Sequence, residues 1–460
     1  MTKANILFVV PRSLNPKQMY LEYPLGVGIL GTILENENYN VKIYDGNAED
    51  FELMEYLSEN NSFKPDIIGF SIITPNYPVA KINIQQLRDK YKNIKIIAGG
   101  VHSTLFPETL LNDGVDVVVK GEGEQVIVDL VQCLMTNNNL ENVEGIAFID
   151  NNSKLIIKES HKKKVNLKDV PIVNRNLFNL KKYTHHSMIA SRGCPYKCNF
   201  CCNYSGTILQ KGTSVKQYSD IIFEMKYLED EFNAKDIFFA DDIFLIKKSD
   251  ILSFCKEYNE AGLTVEWVGQ MRADTIDKEI AEAISNAGCK RIYFGVESGS
   301  ENILKSSRKK LTKQQLLDGI NYAKNAGIRV KTGWIYGLPG TIKEQYESID
   351  FMLKMRPHEI SIHQLIPFPG TPYYENPEEH GIIIKDKANF ESFCYGGISD
   401  NIQFEYMTQE QLEKLLRDTA ISLENAGYVS SDKATKGDEY IYSSPLHKKS
   451  MNVFKKEDNK

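Results

Sequence analysis

Short runs of apolar residues alternate with helix-length stretches over roughly the first 150 residues. The intervening stretches, such as Gly26–Asn36 and Val79–Lys90, have the length of helices. Strands that alternate with helices in this way predict a doubly wound, Rossmann-like sheet of parallel strands. The five apolar runs are Ile6–Val10, Val41–Tyr44, Ile67–Ser71, Ile94–Ala98 and Val115–Val119.

A second alternation of the same kind begins at Met188. Glycines follow the predicted helices at Gly262, Gly288 and Gly327, as expected of helix C-terminal caps. Six β/α units predict a partial barrel, whose active site lies at the C-terminal ends of its strands. The six apolar runs are Met188–Ser191, Asp236–Ala240, Val265–Val268, Arg291–Gly295, Val330–Ile335 and Glu359–His363.

The rest of the chain has weaker patterns. Ser214 is placed to cap a predicted helix at Val215–Phe232, and Thr408–Ala426 has the pattern of a further helix. The polar, charged tail from Ser430 is predicted to be mobile. We predict an α/β protein with four parts: a Rossmann-like domain at 1–145, a lysine-rich linker at 146–182, the partial barrel at 183–390, and a small, mostly helical C-terminal region with a polar tail at 391–460.

Charge and composition exclude some classes of function. Lys and Arg number 55 against 61 Asp and Glu, which leaves no broad basic field and disfavours a nucleic-acid partner. No apolar run reaches the roughly 20 residues of a membrane helix, and no signal-peptide pattern follows Met1, so we expect a cytoplasmic protein without a membrane partner. Four scattered cysteines are predicted to be buried thiols: Cys133, Cys255, Cys289 and Cys394.

The other four of the eight cysteines lie within nine residues, 194–202. Cys194, Cys198 and Cys201 have CxxxCxxC spacing, and thiolates this close on a turn-rich loop can hold one soft metal centre. A structural zinc or a usual iron-sulfur cluster takes four protein ligands, so three cysteines indicate a cluster with one open iron. Cys202 is interpreted as a bystander; the alternative is a non-catalytic zinc module that uses all four cysteines.

The cysteine spacing, with Phe200 directly before Cys201, resembles the cluster loop of radical S-adenosylmethionine (SAM) enzymes. The resemblance implies a 4Fe-4S cluster on Cys194, Cys198 and Cys201, with the amine and carboxylate of SAM on the open iron. It further implies that an electron, from a donor such as flavodoxin or ferredoxin, cleaves SAM to methionine and a 5'-deoxyadenosyl radical.

The motifs at the ends of the later predicted barrel strands are also similar to those of radical SAM enzymes. The resemblance implies that the pair Asp241-Asp242 accepts hydrogen bonds from the SAM amine, that Glu297 lies near the SAM ribose and amino group, and that the backbone from Ile335 to Gly337 lines the adenine. Arg272 is predicted to hold the SAM carboxylate or an anion of the substrate; the alternative is a structural ion pair. The predicted SAM residues are Phe200, Asp241, Asp242, Arg272, Glu297, Ser298, Ile335 and Gly337.

The first domain resembles the cobalamin-binding domain that precedes the barrel in one branch of this superfamily. The resemblance lies in the loops after its third, fourth and fifth strands, where Gly99 and Gly100 allow close approach of a large planar ligand. The Asp-x-His-x-x-Gly motif is absent, so His102 is not assigned to cobalt; we expect it to hydrogen-bond locally or to touch the ligand's edge. The predicted cobalamin residues are Ser71, Thr74, Gly99, Gly100, His102, Gly121 and Glu122.

Together these features predict a cobalamin-dependent radical SAM enzyme that methylates an unactivated carbon of a small molecule or peptide. The alternative is a radical SAM cyclase, dehydratase or rearrangement enzyme of the same architecture, a group that includes the anaerobic porphyrin-ester cyclases. A methylthiotransferase is disfavoured, because its first domain brings three further cluster cysteines and this one has only Cys133.

Overall fold

The structure is a computed structural model that describes residues 4–14, 22–60, 62–136, 138–159, 164–202, 212–394, 399–435 and 437–445. It divides the chain into two compact units, which are described separately. Unit 1 comprises the described residues up to His186, and unit 2 those from Ser187 onward.

A seven-stranded sheet forms the centre of unit 1. Its strands are β1 (Asn5–Val10), β2 (Asn40–Asp45), β3 (Ile67–Ser71), β4 (Lys95–Gly99), β5 (Val117–Val119), β6 (Ile146–Ile149) and β7 (Leu155–Ile157). They lie in the order β2-β1-β3-β4-β5-β6-β7. The first five strands pair in parallel, which confirms the predicted doubly wound sheet. Its helices are α1 (Leu25–Asn36), α2 (Leu53–Glu59), α3 (Tyr77–Lys90), α4 (Val101–Leu105), α5 (Pro107–Asn112) and α6 (Ile127–Thr136).

The segment predicted to be a linker, 146–182, is folded into unit 1. β6 pairs antiparallel with β5 and with β7, so the sheet continues past its parallel part. Further on, the Asn174 backbone N–H donates to the Thr32 hydroxyl of α1 at 2.9 Å, and Val173 fills the space that a Cβ on Gly28 would need. Short antiparallel strands and an irregular segment do not show a long apolar periodicity. The sequence pattern therefore predicted a linker where the structure has a folded part of unit 1.

An eight-stranded sheet forms the centre of unit 2. The strands from here to the C-terminus are β8 (His186–Met188), β9 (Ser191–Arg192), β10 (Ser214–Val215), β11 (Asp236–Phe239), β12 (Glu266–Met271), β13 (Cys289–Glu297), β14 (Arg329–Tyr336), β15 (Glu359–Gln364), β16 (Ile382–Ile384), β17 (Ile402–Phe404), β18 (Val429–Ser430) and β19 (Ile441–Ser443). The sheet order is β18-β19-β15-β14-β13-β12-β11-β8. Pairing is parallel from β11 to β15 and on to β19 and β18, as the partial-barrel prediction requires.

Helices cover one face of this sheet, where Trp267, Trp334 and Ile360 are buried in a single core with residues of the helices. Gly262, Gly288 and Gly327 have positive φ (66°, 81° and 77°), which confirms the predicted helix ends. No helix in the described parts of the chain is long and apolar enough to span a membrane. The helices are α7 (Tyr218–Phe232), α8 (Lys248–Glu260), α9 (Lys278–Asn286), α10 (Glu301–Ser306), α11 (Lys313–Asn325), α12 (Ile342–Met355), α13 (Pro372–Glu375) and α14 (Gln409–Asn425).

Two local predictions are wrong. Ser214 does not cap a helix: it lies in β10 and pairs with Arg192 of β9, while α7 begins only after Gln217. The tail is not free from Ser430, because β19 pairs with both β15 and β18. Strands of two or three residues are too short to show an apolar period, so the sequence pattern gave no sign of them. Of the scattered cysteines, Cys133, Cys255 and Cys289 are buried as predicted and Cys394 is half-buried.

Candidate functional site

The predicted cluster cysteines lie on the loop between β9 and β10. Cys194 and Cys198 are half-buried and Cys201 is exposed, and the Cys201 N–H donates to the Cys198 carbonyl at 3.2 Å in a tight turn. In the described part of the chain, no three His, Cys, Asp or Glu side chains have a geometry ready for a metal ion. The loop therefore brings the thiols to one strand end without a preformed coordination shell.

The chemistry of these thiols fits an iron-sulfur cluster. Burial raises the pKa of Cys194 and Cys198, which are both half-buried. Bound iron would supply the positive charge that keeps such sulfurs deprotonated. Three sulfur donors leave one iron of a 4Fe-4S cluster open. Burial raises the pKa of Cys202 to about 11, so this side chain is a neutral thiol at pH 7.

The acidic pair holds the backbone that leads into the loop. Asp241 is buried and accepts hydrogen bonds from the N–H groups of Ala190 at 3.1 Å and of Ser191. Asp242 accepts the N–H of Gly193 at 3.0 Å, where the backbone has a φ of 89°. Burial raises the pKa of Asp241 to about 7. The structure thus assigns both carboxylates to positioning the loop, and hydrogen bonding to the SAM amine stays a prediction.

Two loop side chains that the sequence did not single out tie the loop to its neighbours. Asn199 is buried; its backbone N–H donates to the Ser307 carbonyl at 3.0 Å and its Nδ2 to the Ser306 carbonyl at 3.2 Å. The Tyr196 ring stacks on the guanidinium of Arg272, with 3.6 Å from Cζ to the ring centre. These contacts hold the loop in place independently of any metal.

Arg272 forms the ion pair that was one of its two predicted roles. Its guanidinium contacts both carboxylate oxygens of Asp274, at 2.9 and 3.1 Å. It also donates to the backbone carbonyls of Lys309 at 3.1 Å and Lys310 at 3.3 Å. A planar, forked donor suits such a set of acceptors better than lysine would. Arg272 therefore joins the end of β12, the cysteine loop and the turn after α10.

Glu297 ends β13 in a constrained conformation. The register with β14 shifts between Gly295 and Glu297, and Glu297 has a φ of 71°. Its carboxylate accepts a hydrogen bond from Lys309 Nζ at 2.8 Å, and both side chains are nine-tenths buried. Non-glycine residues at such angles cluster at functional sites, because the surrounding structure must hold them there.

Lys309 is the main site residue that the sequence did not reveal. It lies between Arg308 and Lys310, which have φ values of 56° and 53° and whose side chains are exposed. Burial lowers the pKa of Lys309, but the charges of Glu297 and Cys198 outweigh this and raise it. A buried ammonium is therefore maintained beside the carboxylate and close to the cysteines. Its only sequence signal is a basic run, Arg308-Lys309-Lys310, which usually indicates solvent exposure.

The remaining predicted SAM residues lie at the same strand ends. Gly337 has a φ of 91°, and a Cβ there would lie 2.8 Å from the Phe404 ring. Its N–H donates to Gln345 at 3.3 Å and its carbonyl accepts from the Tyr406 hydroxyl at 2.8 Å. Only glycine therefore fits this turn. Ser298 is buried and accepts from a backbone N–H two residues on, whereas Ile335 and Phe200 are half-buried.

In unit 1, the loops after β4 and β5 are joined by hydrogen bonds. Gly100 has a φ of 98°, and a Cβ there would lie 2.6 Å from the Ile72 carbonyl oxygen. Gly99 instead has room, since its nearest neighbour would be 3.7 Å away. The Thr104 hydroxyl donates to the Gly100 carbonyl at 3.0 Å and accepts the Gly121 N–H at 3.1 Å. With half-buried Ser71 at the end of β3, these loops form one edge that suits a large ligand.

Three predicted cobalamin residues instead have structural partners. His102 is fully buried, hydrogen-bonds through Nδ1 to the Thr74 hydroxyl at 3.2 Å, and stacks on the Tyr77 ring at 4.3 Å. Local hydrogen bonding, one of its two predicted roles, is therefore what the structure shows. Thr74 is buried with it. Glu122 accepts the backbone N–H of Val165 at 2.9 Å and so anchors the following segment.

The buried position of His102 predicts acid sensitivity of unit 1. Burial lowers the pKa of His102 to about 3, from an unfolded value near 6.5. Since the unfolded chain then binds the extra proton, stability is full above about pH 6.5 and is lost as the pH falls toward 3. We expect about 2 kcal/mol less unfolding free energy at pH 5 than at pH 6.5 from this group. Denaturant unfolding at both pH values checks this; a His102→Gln variant that kept the full pH slope would contradict it.

Comparisons with known protein families match both units. A sequence model of the B12 binding domain matches residues 18–131, and one of the radical SAM superfamily matches residues 188–352. These ranges contain the strand-end loops of unit 1 and the cysteine loop with the ends of β11 to β14.

Individual relatives extend the similarity over most of the chain. An uncharacterized methyltransferase from Pyrococcus horikoshii is 30% identical over 413 residues, which is 87% of each chain. An anaerobic magnesium-protoporphyrin IX monomethyl ester cyclase from Cereibacter sphaeroides is 26% identical over 76% of this chain and 60% of its own length. The solved structure of a radical SAM methyltransferase from Kitasatospora setae, with cobalamin and a 4Fe-4S cluster bound, has a TM-score of 0.71, is 16% identical, and covers 85% of this chain and 78% of its own.

Proposed function

Because the chain belongs to the cobalamin-binding branch of the radical SAM superfamily, we propose that it is a methyltransferase acting on an unactivated carbon of a small molecule or peptide. The observation that carries this is the 30% identity over 87% of both chains to a relative named as a methyltransferase. Cyclases are also among the relatives, at lower identity, and their chemistry is the alternative outcome of the test.

The cofactors of this family are a 4Fe-4S cluster, SAM and cobalamin, as predicted. When they are bound, the cluster and SAM supply a 5'-deoxyadenosyl radical for hydrogen abstraction, and cobalamin supplies a methyl group. Cys194, Cys198 and Cys201 would hold the cluster, and the loops at Gly99, Gly100 and Gly121 would hold cobalamin. An electron donor such as flavodoxin or ferredoxin is part of the proposal.

The chain's own residues position the cysteine loop and supply charged groups beside it. Asp241, Asp242 and Asn199 hold the backbone at the cysteine loop through hydrogen bonds, which lowers the entropy cost of ordering this loop when metal binds. The pair of Glu297 and Lys309 offers one acceptor and one donor beside that loop, which suits a zwitterionic amino acid such as the methionyl end of SAM. Burial of both groups strengthens such contacts relative to water.

The test uses protein purified anaerobically and reconstituted with iron, sulfide and cobalamin. Incubation with methyl-labelled SAM, reductant and a pool of candidate substrates is expected to give 5'-deoxyadenosine and a labelled product with one added methyl group. Deoxyadenosine with an unlabelled, cyclised or dehydrated product would instead favour the cyclase alternative. Absence of bound cobalt after supplementation would overturn the cobalamin-dependent proposal.

A further inference from the structure

A tyrosine hydroxyl is buried close to the cysteine loop without a well-formed hydrogen bond. Tyr373 belongs to α13, the short helix that follows the proline-rich segment after β15, and its side chain is fully buried. Its hydroxyl oxygen makes no hydrogen bond of normal geometry with the residues that the structure describes. Burying a polar group without a hydrogen bond costs free energy, so this hydroxyl calls for an acceptor.

The neighbours of Tyr373 fix its position. Thr371 is buried, its hydroxyl donates to the Phe368 carbonyl at 2.6 Å, and its carbonyl accepts the Tyr374 N–H at 2.9 Å. The Tyr373 ring makes an edge-to-face contact with the His380 ring, with 4.8 Å between the ring centres. The hydroxyl therefore cannot readily turn toward another part of the protein.

The hydroxyl lies beside two residues of the cysteine loop. Burial raises the pKa of Tyr373, the Asn199 side chain lowers it and Cys198 raises it, so both groups are close to the hydroxyl. Asn199 Nδ2 donates to the Ser306 carbonyl at 3.2 Å, which holds this side chain in place. Among the described residues, the buried Asn199 Oδ1 also has no hydrogen bond of normal geometry. The hydroxyl thus has two nearby acceptors, Asn199 Oδ1 and the Cys198 sulfur.

The surroundings of Cys198 favour a charged sulfur once iron is bound. Burial raises the pKa of this thiol most, Lys309 and Arg272 lower it, and Glu297 raises it. A neutral thiol is a weak hydrogen-bond acceptor, whereas a sulfur that ligates iron is deprotonated. Hydrogen bonds to a charged acceptor are roughly twice as strong as those to a neutral one. Binding of the cluster would therefore turn Cys198 into the stronger of the two acceptors.

We propose that the Tyr373 hydroxyl donates a hydrogen bond to the Cys198 sulfur when this sulfur is a cluster ligand, and thereby makes the cluster easier to reduce. An added electron increases the negative charge on the cluster sulfurs, so a donor stabilises the reduced form more than the oxidised form. Hydrogen bonds to the sulfurs are among the factors that set the potential of such clusters. The inference rests on the cluster of the proposed function and concerns only electron uptake.

The test is an EPR-monitored redox titration of anaerobically reconstituted protein without SAM. Tyr373→Phe removes only the hydroxyl and is expected to shift the reduction equilibrium about tenfold toward the oxidised cluster, which is about 59 mV for one electron. Tyr373→meta-fluorotyrosine keeps the shape of the side chain and is a stronger donor, so its potential is expected to lie above that of the wild type. Tyr258→Phe is the matched control, because it removes a buried hydroxyl that donates to the Val265 carbonyl at 2.9 Å, and is expected to match the wild type.

Iron and sulfide contents are measured in the same samples and are expected to be equal in the wild type and all three variants. An unchanged potential in Tyr373→Phe would overturn the inference and favour a hydrogen bond to Asn199 alone. Loss of iron from Tyr373→Phe, with the wild-type potential in Tyr373→meta-fluorotyrosine, would overturn it as well, since the tyrosine would then only hold the loop. A wild type that shows the expected shifts but forms no methylated product would contradict the proposed methyl transfer and leave this inference standing.

Discussion

Replacing Cys201 by serine is expected to abolish SAM cleavage, whereas replacing the adjacent Cys202 by serine leaves it largely intact. Cys201 completes the CxxxCxxC spacing with Cys194 and Cys198, and a cluster without its third cysteine is not retained in an active form. We expect deoxyadenosine formation to fall by about three orders of magnitude or more in Cys201→Ser, and by less than about threefold in Cys202→Ser.

The iron, sulfide and zinc contents of the two variants are measured together with their SAM cleavage activity. Cys201→Ser is expected to lose most of its iron and sulfide after anaerobic reconstitution, and Cys202→Ser to keep both. Since the two cysteines are neighbours, the pair is a matched test of ligand identity. Equal metal loss in both variants, with zinc in the wild type, would favour the four-cysteine structural site.

Replacing Lys309 by methionine is expected to impair both stability and SAM cleavage. The substitution leaves the Glu297 carboxylate nine-tenths buried without its 2.8 Å partner. Removing one member of a buried ion pair costs about 3–5 kcal/mol, because the other charge stays desolvated. We expect SAM cleavage to fall by roughly a hundredfold, as a preorganised buried donor contributes about that much. Lys310→Met, one residue away and exposed, is the matched control and is expected to resemble the wild type.

A double variant separates the two effects. In Glu297→Gln/Lys309→Met no buried charge is left uncompensated, so most of the lost unfolding free energy is expected to return. SAM cleavage is expected to stay low, because both polar partners are still missing. Recovery of cleavage together with stability would show that the pair acts only in folding. The measurements are denaturant unfolding of reconstituted protein and the KM and kcat for SAM cleavage.

The sequence was most informative where chemistry and periodicity coincide. The cysteine spacing, the strand-end glycines and the long alternations predicted both sheets and the order of the two units, and the structure and the family comparisons confirm them. Long parallel strands that pack against helices must be apolar, so the amino-acid sequence alone shows where they are. A short strand such as β10 or β18 is instead defined by the strand with which it pairs, because two residues show no pattern of their own.

The supporting contacts of the site could not be predicted for a related reason. In the sequence, Lys309 is one of three consecutive basic residues. The positive φ angles of Arg308 and Lys310 turn its side chain inward. The hydrogen bonds of the Asp241 carboxylate could not be predicted either, because the backbone N–H groups that donate them lie far away in the sequence. His102 stacks on Tyr77, which the sequence does not mark as its neighbour. Each role depends on tertiary contacts that carry no local signal.

The position of β19 has a consequence for how the protein is made. Glu359 of β15 pairs with Ile441, and β18 joins the sheet only through β19. During translation β15 leaves the ribosome long before β19, so this edge of β15 lacks its β19 partner until β19 has emerged as well. Unpaired edges of this kind promote aggregation. Nascent chains stalled shortly before residue 441 should therefore be more sensitive to protease and more dependent on chaperones than chains stalled well beyond it.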